Sequence, residues 1–356
     1  AVTFSKKAKE AIDNKLKSLD VNYVNVETFH SLALKIIKSA YGNNTYTVWT
    51  AYWEKEKTLQ EICVNRLNIC DKENVPYNEL LFFISKQKNG MLKPNDKLIY
   101  DTEYSLSNET LQSIYKLYEE YKNQKHYIEF DDFLNLANDA LDENKELLKS
   151  YRNKFQYVLA DEFQDISLSQ SLLLKKLNDK NTMIVGDPLQ AIYSFRGGNS
   201  SFILNFDNLY DDAKIINLNV NYRCSQNIVQ TANMLAKDIP DSLHKHYVES
   251  IANNGAYTSP IYNHYENDYI EAEAISKKIL ELKSKYNYKD IAVLARTNAQ
   301  LQKIETALHS KNTPFSVVDG QLFTELPEIK LLISYLKLSL NTNNDEAFMY
   351  LYNKPN

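Results

Sequence analysis

Three groups of residues in this chain combine types and spacings that could do chemistry. Asp161-Glu162-Phe163-Gln164-Asp165 directly follows the apolar run Tyr157-Val158-Leu159-Ala160. Adjacent carboxylates at such a point can divide two tasks: one holds Mg²⁺, often through water, and the other orients an attacking water. A solvated acidic turn is the plainer reading of the acid pair alone. Further on comes Val185-Gly186-Asp187-Pro188-Leu189-Gln190-Ala191-Ile192-Tyr193-Ser194-Phe195-Arg196-Gly197-Gly198. The Gln190 amide can sense a terminal phosphate. Tyr193 and Phe195 beside Arg196 have the composition that stacks bases and holds a strand's backbone, although an aromatic pair in a core would look the same. In Asn221-Tyr222-Arg223, a Tyr can stack on a purine face and an Arg can reach a γ-phosphate. A surface Tyr-Arg pair before a helix cap is the bland alternative.

The elements that must position these groups can be read from the apolar pattern. Tyr157–Ala160, Met183-Ile184-Val185, Ile215-Ile216 and Ile291-Ala292-Val293-Leu294-Ala295 each end in polar residues. Continuous apolar runs of this length suit strands buried on both faces of a parallel sheet. With helical patterns between them, the chain reads as α/β, with sites at the carboxyl ends of strands. Residues 37–128 differ. Leu111, Ile114, Tyr115, Leu117, Tyr118 and Tyr121 share one helical face, and the stretch reads as a mostly helical insertion. A helix is expected over 130–141, with Phe133, Ala137 and Leu141 at four-residue spacing. Another starts after Ser225, a suitable N-cap, and carries Ile228, Val229 and Ala232. Residues 238–265, with Pro240, Asn253-Asn254-Gly255 and Pro260, read as a connection. The opening Ala1-Val2-Thr3-Phe4-Ser5 reads as an apolar strand cut in the middle.

Composition narrows the classes. In 356 residues, 41 Lys+Arg against 46 Asp+Glu give a net charge of −5, so no global basicity advertises nucleic acid, although local patches remain open. Hydrophobic residues at 44% and charged residues at 24% exclude wholesale disorder. The length suits two or three domains of about 150 residues. No apolar run approaches the ~18 residues of a membrane helix. The three cysteines, Cys63, Cys70 and Cys224, form no CxxC pair, which suits a reducing cytoplasm and argues against a structural zinc. His244 and His246 have no Cys or carboxylate cluster beside them and read as solvated loop histidines. Of the seven glycines, none precedes a lysine, so no GxxxxGK[ST] phosphate loop is present.

Together, the acid pentapeptide, the segment from Gly186 to Gly198 and the Asn221-Tyr222-Arg223 triplet resemble the UvrD/Rep/PcrA-type superfamily 1 DNA helicases in order and spacing. Ala1 to Ala8 and Glu27-Thr28-Phe29-His30-Ser31 look like that family's first two strand-contacting segments. Phe130-Asp131-Asp132-Phe133 sits where its helical insertion returns to the core. Leu294-Ala295-Arg296-Thr297-Asn298-Ala299-Gln300 and Glu328-Ile329-Lys330 resemble the opening of its second motor domain. The resemblance implies a RecA-like parallel-sheet P-loop NTPase core with a mostly helical insertion and part of a second RecA-like domain. Residues 1–36 and 129–224 would form the first domain, 37–128 the insertion, and 225–356 the first half of the second.

The resemblance also implies ATP and Mg²⁺ as cofactors and 3′-to-5′ translocation on single-stranded DNA or at single-strand/duplex junctions, in cytoplasmic repair or replication. Asp161 would serve Mg²⁺ and Glu162 would polarise the hydrolytic water, so both stand near the metal. Gln190 would couple the γ-phosphate to the DNA site, Tyr222 would stack on adenine, and Arg223 would contact the γ-phosphate. Phe4, Thr28, His30, Tyr193, Phe195, Arg196, Arg296 and Asn298 would line the strand. Many relatives carry Trp where Phe195 stands, which implies a smaller stacking face here. The family's Walker A loop and its later glycine-containing segments are not in these residues, so the expectation is an interior piece of a motor that alone hydrolyses ATP negligibly. Two readings compete with it: a catalytically inactive scaffold that binds single strands or a protein partner, and the motor subunit of a helicase–nuclease complex.

Overall fold

The computed structural model describes residues 1–3, 5–100, 104–193, 198–210, 212–318 and 327–352, so Phe4, Phe195 and Arg196 lie outside the described residues. Strand β1 (Val2–Thr3) leads into helix α1 (Lys6–Ser18), where Ser5 Oγ accepts the Ala8 N–H at 3.1 Å as N-cap. Strand β2 (Glu27–Thr28) runs into α2 (Phe29–Tyr41) through a reciprocal cap: Thr28 Oγ1 accepts from Ser31 N–H and Ser31 Oγ accepts from Thr28 N–H. Phe29, Leu32, Ala33, Ile36 and Ile37 of α2 repeat at helical spacing and are all buried.

Strand β3 (Thr47–Val48) opens a helical stretch of α3 (Tyr52–Gln60), a π-helical turn over Glu61–Arg66, α4 (Tyr77–Asn89) and α5 (Asn108–Lys125). It closes with β4 (Tyr127–Ile128), parallel to β3. This stretch has its own core, in which Leu111, Ile114, Tyr115 and Tyr118 are buried and Leu117 and Tyr121 pack against them, on the expected helical face. Trp49 stacks on Tyr118 and Tyr127 with centroids 5.7 and 5.1 Å apart.

The chain then returns through α6 (Phe130–Glu143), α7 (Lys145–Lys154), β5 (Val158–Ala160), α8 (Leu168–Leu177) and β6 (Thr182–Ile184). Phe133, Ala137 and Leu141 of α6 are buried against α2 as their spacing requires. Each such fully buried large apolar side chain contributes about 1.5–3 kcal/mol. The central sheet has the order β2-β1-β5-β6 with every pair parallel, and Val2 faces both Glu27 and Ala160. Short helices α9 (Ser201–Leu204) and α10 (Phe206–Leu209) follow, then β7 (Val220–Asn221), α11 (Gln226–Lys237) and β8 (Ile251–Ala252), with β8 parallel to β7.

Those elements make up one compact unit, Ala1–Tyr257. The other, Thr258–Asn356, contains α12 (Asp268–Leu282), α13 (Asn298–Ser310), α14 (Pro327–Leu340) and α15 (Asp345–Tyr352), with a small core of Ala272, Ile279, Ile304, Ala307 and Leu308. The class is α/β with parallel sheets, as expected, and helix predominates. No helix among the described residues is long and apolar enough to cross a membrane.

Several local expectations need correction. Ile215-Ile216 and Ile291–Ala295 form no ladder. A strand exists only where a neighbour accepts its hydrogen bonds, and among the described residues these runs have none. Ile291 and Val293 nevertheless alternate into the second unit's core while Leu294 is 93% exposed. Burial on both faces also fails for the central strands, since Leu159 and Met183 are 43% and 58% exposed. The 238–265 connection contains β8, which is too short to leave a periodic signal. In α11, Val229 is buried while Ile228 and Ala232 are exposed.

Candidate functional site

The carboxyl ends of β5 and β6 carry the first two groups of candidate residues. Asp161 continues β5, its N–H donating to Val2 O at 3.2 Å, and its Oδ1 accepts the Glu162 N–H at 3.0 Å. Glu162 takes a left-handed backbone conformation, φ 55° and ψ 42°. That conformation costs a non-glycine residue about 1–3 kcal/mol and persists only when its surroundings enforce it. Here they do: Phe163 is fully buried and donates its N–H to Val185 O at 3.0 Å, and Asp165 N–H returns to Glu162 O at 3.1 Å. The result is a tight turn that leaves Glu162 exposed and Asp161 half-buried.

Beside it, β6 leads through Val185 into Gly186-Asp187, and a 3₁₀ turn covers Pro188–Gln190. Asp187 Oδ1 caps that turn by accepting Leu189 N–H at 3.0 Å, and its Oδ2 accepts from Gln190 Nε2 at 2.7 Å. Gly186 has no room for a side chain, because a Cβ there would come within 2.5 Å of Gln164 Oε1 and 2.8 Å of Ile203 Cδ1. The loop then reaches Ile192 and Tyr193, whose N–H groups both donate to Asp165 Oδ1, at 3.1 and 3.3 Å. Asp161, Glu162, Gln190 and Tyr193 thus share one hydrogen-bonded platform.

The joints of that platform are Gln164, Asp165 and Asp187, and sequence reasoning gave them no role. The available signal was an amide and a carboxylate following the acid pair directly, an unusual concentration of polar groups on a turn out of a buried strand.

Thr28 and His30 stand at the end of β2, which β1 separates from β5. Thr28 is spent as the α2 cap, and His30 lies against Phe130 and Phe133 with ring centroids 6.5 and 6.4 Å away. Burial pushes the His30 imidazole below its usual value, opposed by the charge of Asp131, so it is neutral at pH 7. It lines a cleft of about 630 Å³ together with Lys55, Phe82, Glu129, Asp131 and Asp165. The cleft lies within the first unit, between the helical stretch and the turn that follows β5.

Other candidates are not joined to this platform. Tyr222 and Arg223 follow β7, in a turn where Asn221 Oδ1 accepts the N–H groups of Arg223 and Cys224 at 3.0 and 2.8 Å, and Asn254 Nδ2 donates to Tyr222 O at 3.0 Å. Both side chains are exposed, and among the described residues neither has a hydrogen bond or ion pair to Asp161, Glu162 or Gln190. Arg296 and Asn298 belong to the second unit at the start of α13, where Thr297 is the cap and Gln300 Oε1 accepts Arg296 N–H at 3.0 Å. His244 bonds the Ala236 carbonyl at 2.9 Å, and His246 faces Asp207.

The donor set bears on the implied metal. Among the described residues no group of three or more His, Cys, Asp or Glu side chains gathers as a metal cage. Asp161 at an open strand end still fits Mg²⁺, which keeps most of its waters and is held by one or two carboxylates together with a substrate's phosphates. No glycine-lysine loop is available in this chain for those phosphates.

Comparison with known proteins places these observations. Residues 1–211 match the UvrD/REP helicase N-terminal domain, and residues 216–356 match the UvrD-like helicase C-terminal domain. An ATP-dependent DNA helicase PcrA from Leuconostoc citreum is 32% identical over 368 residues, an alignment that takes in 100% of this chain and 48% of that protein. ATP-dependent DNA helicases Rep from two Buchnera aphidicola strains, of Acyrthosiphon pisum and of Baizongia pistaciae, are 32% and 33% identical over all of this chain and 56% and 53% of their own lengths. The chain spans about half the length of the curated relatives it matches. With a parallel sheet whose strand ends carry the acid pair and the glutamine loop, and with family matches over nearly every residue, the chain belongs to the UvrD/Rep helicase family.

Proposed function

We propose that the protein is an ATP-dependent DNA helicase that moves along single-stranded DNA, 3′ to 5′, and opens duplex at single-strand junctions in the cytoplasm. The observation that carries this reading is the hydrogen-bonded platform joining Glu162 to Gln190 and to the Tyr193 loop. Chemistry at one end and an aromatic at the other are what a motor needs if hydrolysis is to be felt by a bound strand. Residues 1–36 and 129–224 would be the first RecA-like domain, 37–128 its insertion and 225–356 part of the second.

In this reading Asp161 would hold Mg²⁺, which when bound would neutralise charge on the phosphate oxygens. Glu162, exposed at its strained turn, orients a water and accepts its proton. Gln190 would sense the terminal phosphate, Tyr222 would stack on adenine, and Arg223 would contact the γ-phosphate. Thr28, His30, Tyr193, Arg296 and Asn298, with Phe4, Phe195 and Arg196, line the strand. His30, neutral beside Phe130, offers a flat face to a base.

The test is ATP turnover with and without single-stranded DNA by the protein at its full natural length. Glu162→Gln is expected to lower turnover about 100-fold or more while ATP binding persists; retained turnover removes Glu162 as the base. The competing reading is a scaffold that binds strands or a partner without turnover. The 356-residue chain by itself is expected to hydrolyse ATP negligibly. A natural protein of this length that binds single strands without turnover would establish the scaffold.

A further inference from the structure

Cys63 and Cys70 take no part in the chemistry described above, yet the chain brings them together. In a straight α-helix, residues seven apart share a face but stand about 10 Å apart along the axis, too far for a sulfur–sulfur bond. Here the helix loosens and turns back. The π-helical turn closes with Leu67 N–H donating to Ile62 O at 3.0 Å. Asn68 then takes a left-handed conformation, φ 51°, which asparagine adopts more readily than most residues. The reversal carries Ile69 N–H to Cys63 O at 3.1 Å, which sets the next residue, Cys70, beside Cys63. The two thiols lie within hydrogen-bond reach of one another, and Cys70 packs on the insertion core that contains Cys63.

The two sulfurs differ in what can reach them. Cys63 is 0% exposed, whereas Cys70 is half-buried at the edge of the core. Burial, reinforced by the neighbouring Cys70 sulfur, pushes the Cys63 thiol up to about 12, so it is protonated at pH 7 and inert toward solutes. A buried cysteine alone is a small hydrophobe. One in contact with a second thiol at the surface has a further capacity, because an oxidised surface sulfur finds its partner already in place. Cys224 lies elsewhere, in the turn after β7, where its N–H donates to Asn221 Oδ1.

We infer that Cys63 and Cys70 form a peroxide-oxidisable dithiol in the helical insertion, with Cys70 the residue attacked first and Cys63 the one that closes the disulfide. The Cys70 thiolate, its proton given to water, attacks one oxygen of hydrogen peroxide. The O–O bond breaks, a sulfenic acid forms, and the departing hydroxide takes up a proton. The Cys63 sulfur then attacks the Cys70 sulfur, the S–O bond breaks, and the hydroxyl leaves with the Cys63 proton as water. Two thiols lose two electrons and two protons, and one peroxide becomes two waters. Contact between the sulfurs offsets the low acidity of Cys63, since a partner held in place reacts at a very high effective concentration. A dithiol reductant reverses the bond, as suits a compartment where protein disulfides are transient and report oxidation. Neither ATP nor DNA enters this chemistry, so it stands or falls apart from the proposed function.

The test treats the folded protein, at its full natural length, with hydrogen peroxide, then alkylates it with N-ethylmaleimide in denaturant and maps it with trypsin. Cleavage after Lys57, Arg66 and Lys72 puts the two cysteines in separate peptides, 58–66 and 67–72, unless a disulfide joins them. The expected product is the joined pair, about 2 Da lighter than the two free peptides together and released by dithiothreitol. In Cys63→Ala the partner is gone, so Cys70 should accumulate as a sulfenic acid trapped by dimedone. Its further oxidation to sulfinic acid should exceed that of the unaltered protein about tenfold. Cys70→Ser should leave Cys63 reduced. Sulfinic acid at Cys70 with the two peptides still separate overturns the inference. So does a bond from either residue to another cysteine or a second copy, or a protein in which neither residue reacts. If Cys63→Ala does not fold, the map of the unaltered protein decides.

Discussion

Two of the places where charge is buried in the first unit are compensated in opposite ways. At the root of the helical insertion, Lys88 Nζ lies 2.7, 3.1 and 2.8 Å from Glu119, Glu129 and Asp132. Lys122 contacts the same three carboxylates, and Lys55 reaches Glu129 at 2.8 Å. Tyr118 donates its hydroxyl to Glu129 at 3.0 Å and lies under both buried ammonium groups. At the ends of β5 and β6, by contrast, Asp161, Glu162, Asp165 and Asp187 meet only backbone N–H groups and amides, with no Lys or Arg partner among the described residues. Cations lock the first cluster into one arrangement. Neutral donors hold the second in place while leaving its negative charge available to a metal or a proton. The same residue types therefore build a joint in one region and a reactive edge in the other.

That contrast can be broken most forcefully at Lys88. Lys88→Met leaves three carboxylates to Lys122, with Lys55 helping only at Glu129, and should cost about 3–5 kcal/mol, measured by denaturant unfolding. A loss under about 1 kcal/mol, the value of an exposed pair, would mean the cluster is no lock.

Acid should act in the same direction. Burial by itself would raise the Glu129 carboxyl, but Lys88, Lys122 and Lys55 outweigh it and hold it far below the ordinary 4.5. Burial of Asp132 is likewise outweighed by Lys88 and Lys122, so its carboxyl stays below 3.8. Both folded values are depressed, so their contribution is complete above the ordinary values and is lost as pH falls below them toward the folded ones. Burial would lower the Lys88 ammonium, but Asp132, Glu119 and Glu129 raise it well above 10.5; its contribution is complete below that value and is lost only as pH rises through the folded one. The thermal midpoint should therefore drop steadily below pH 4.5, and less so in Lys88→Met, where the cation that depresses both acids is gone.

At the reactive edge, Gly186→Ala should cost about 1–3 kcal/mol by forcing the Gln164 amide aside. Because the displaced amide also holds Glu162, turnover should fall more than stability does, and equal losses would assign Gly186 to packing alone. The smallest effect belongs to Lys93–Asp139, a 3.2 Å pair that also joins the insertion's side to α6 but is 73% and 37% exposed. Asp139→Asn should change unfolding by less than about 1 kcal/mol. A larger loss would show that the junction depends on position rather than on burial.

Legibility followed the same division. The acid pair, Gln190 and Tyr193 could be picked out because each belongs to a contiguous cluster that also makes local turns. Helix α6 was legible because Phe133, Ala137 and Leu141 repeat within one element. Lys88 was not, since its partners lie 31 to 44 positions away and nothing near it in sequence distinguishes it from the solvated lysines around it. Nor were the strands β3, β4 and β8, because two residues carry no period. The apolar runs at 215–216 and 291–295 had strand composition, and only the lack of a ladder partner kept them out of a sheet.

By itself, the amino-acid sequence determined the α/β class, the main helices and the order of the chemical clusters, because periodicity, capping and turn chemistry act within a few residues. Tertiary structure alone decided which charges are buried and locked, that Glu162 sits on a left-handed turn, and that Gln164 and Asp165 tie it to Tyr193. Those outcomes depend on burial and on hydrogen-bond partners brought together from separate strand ends, and no local pattern encodes either.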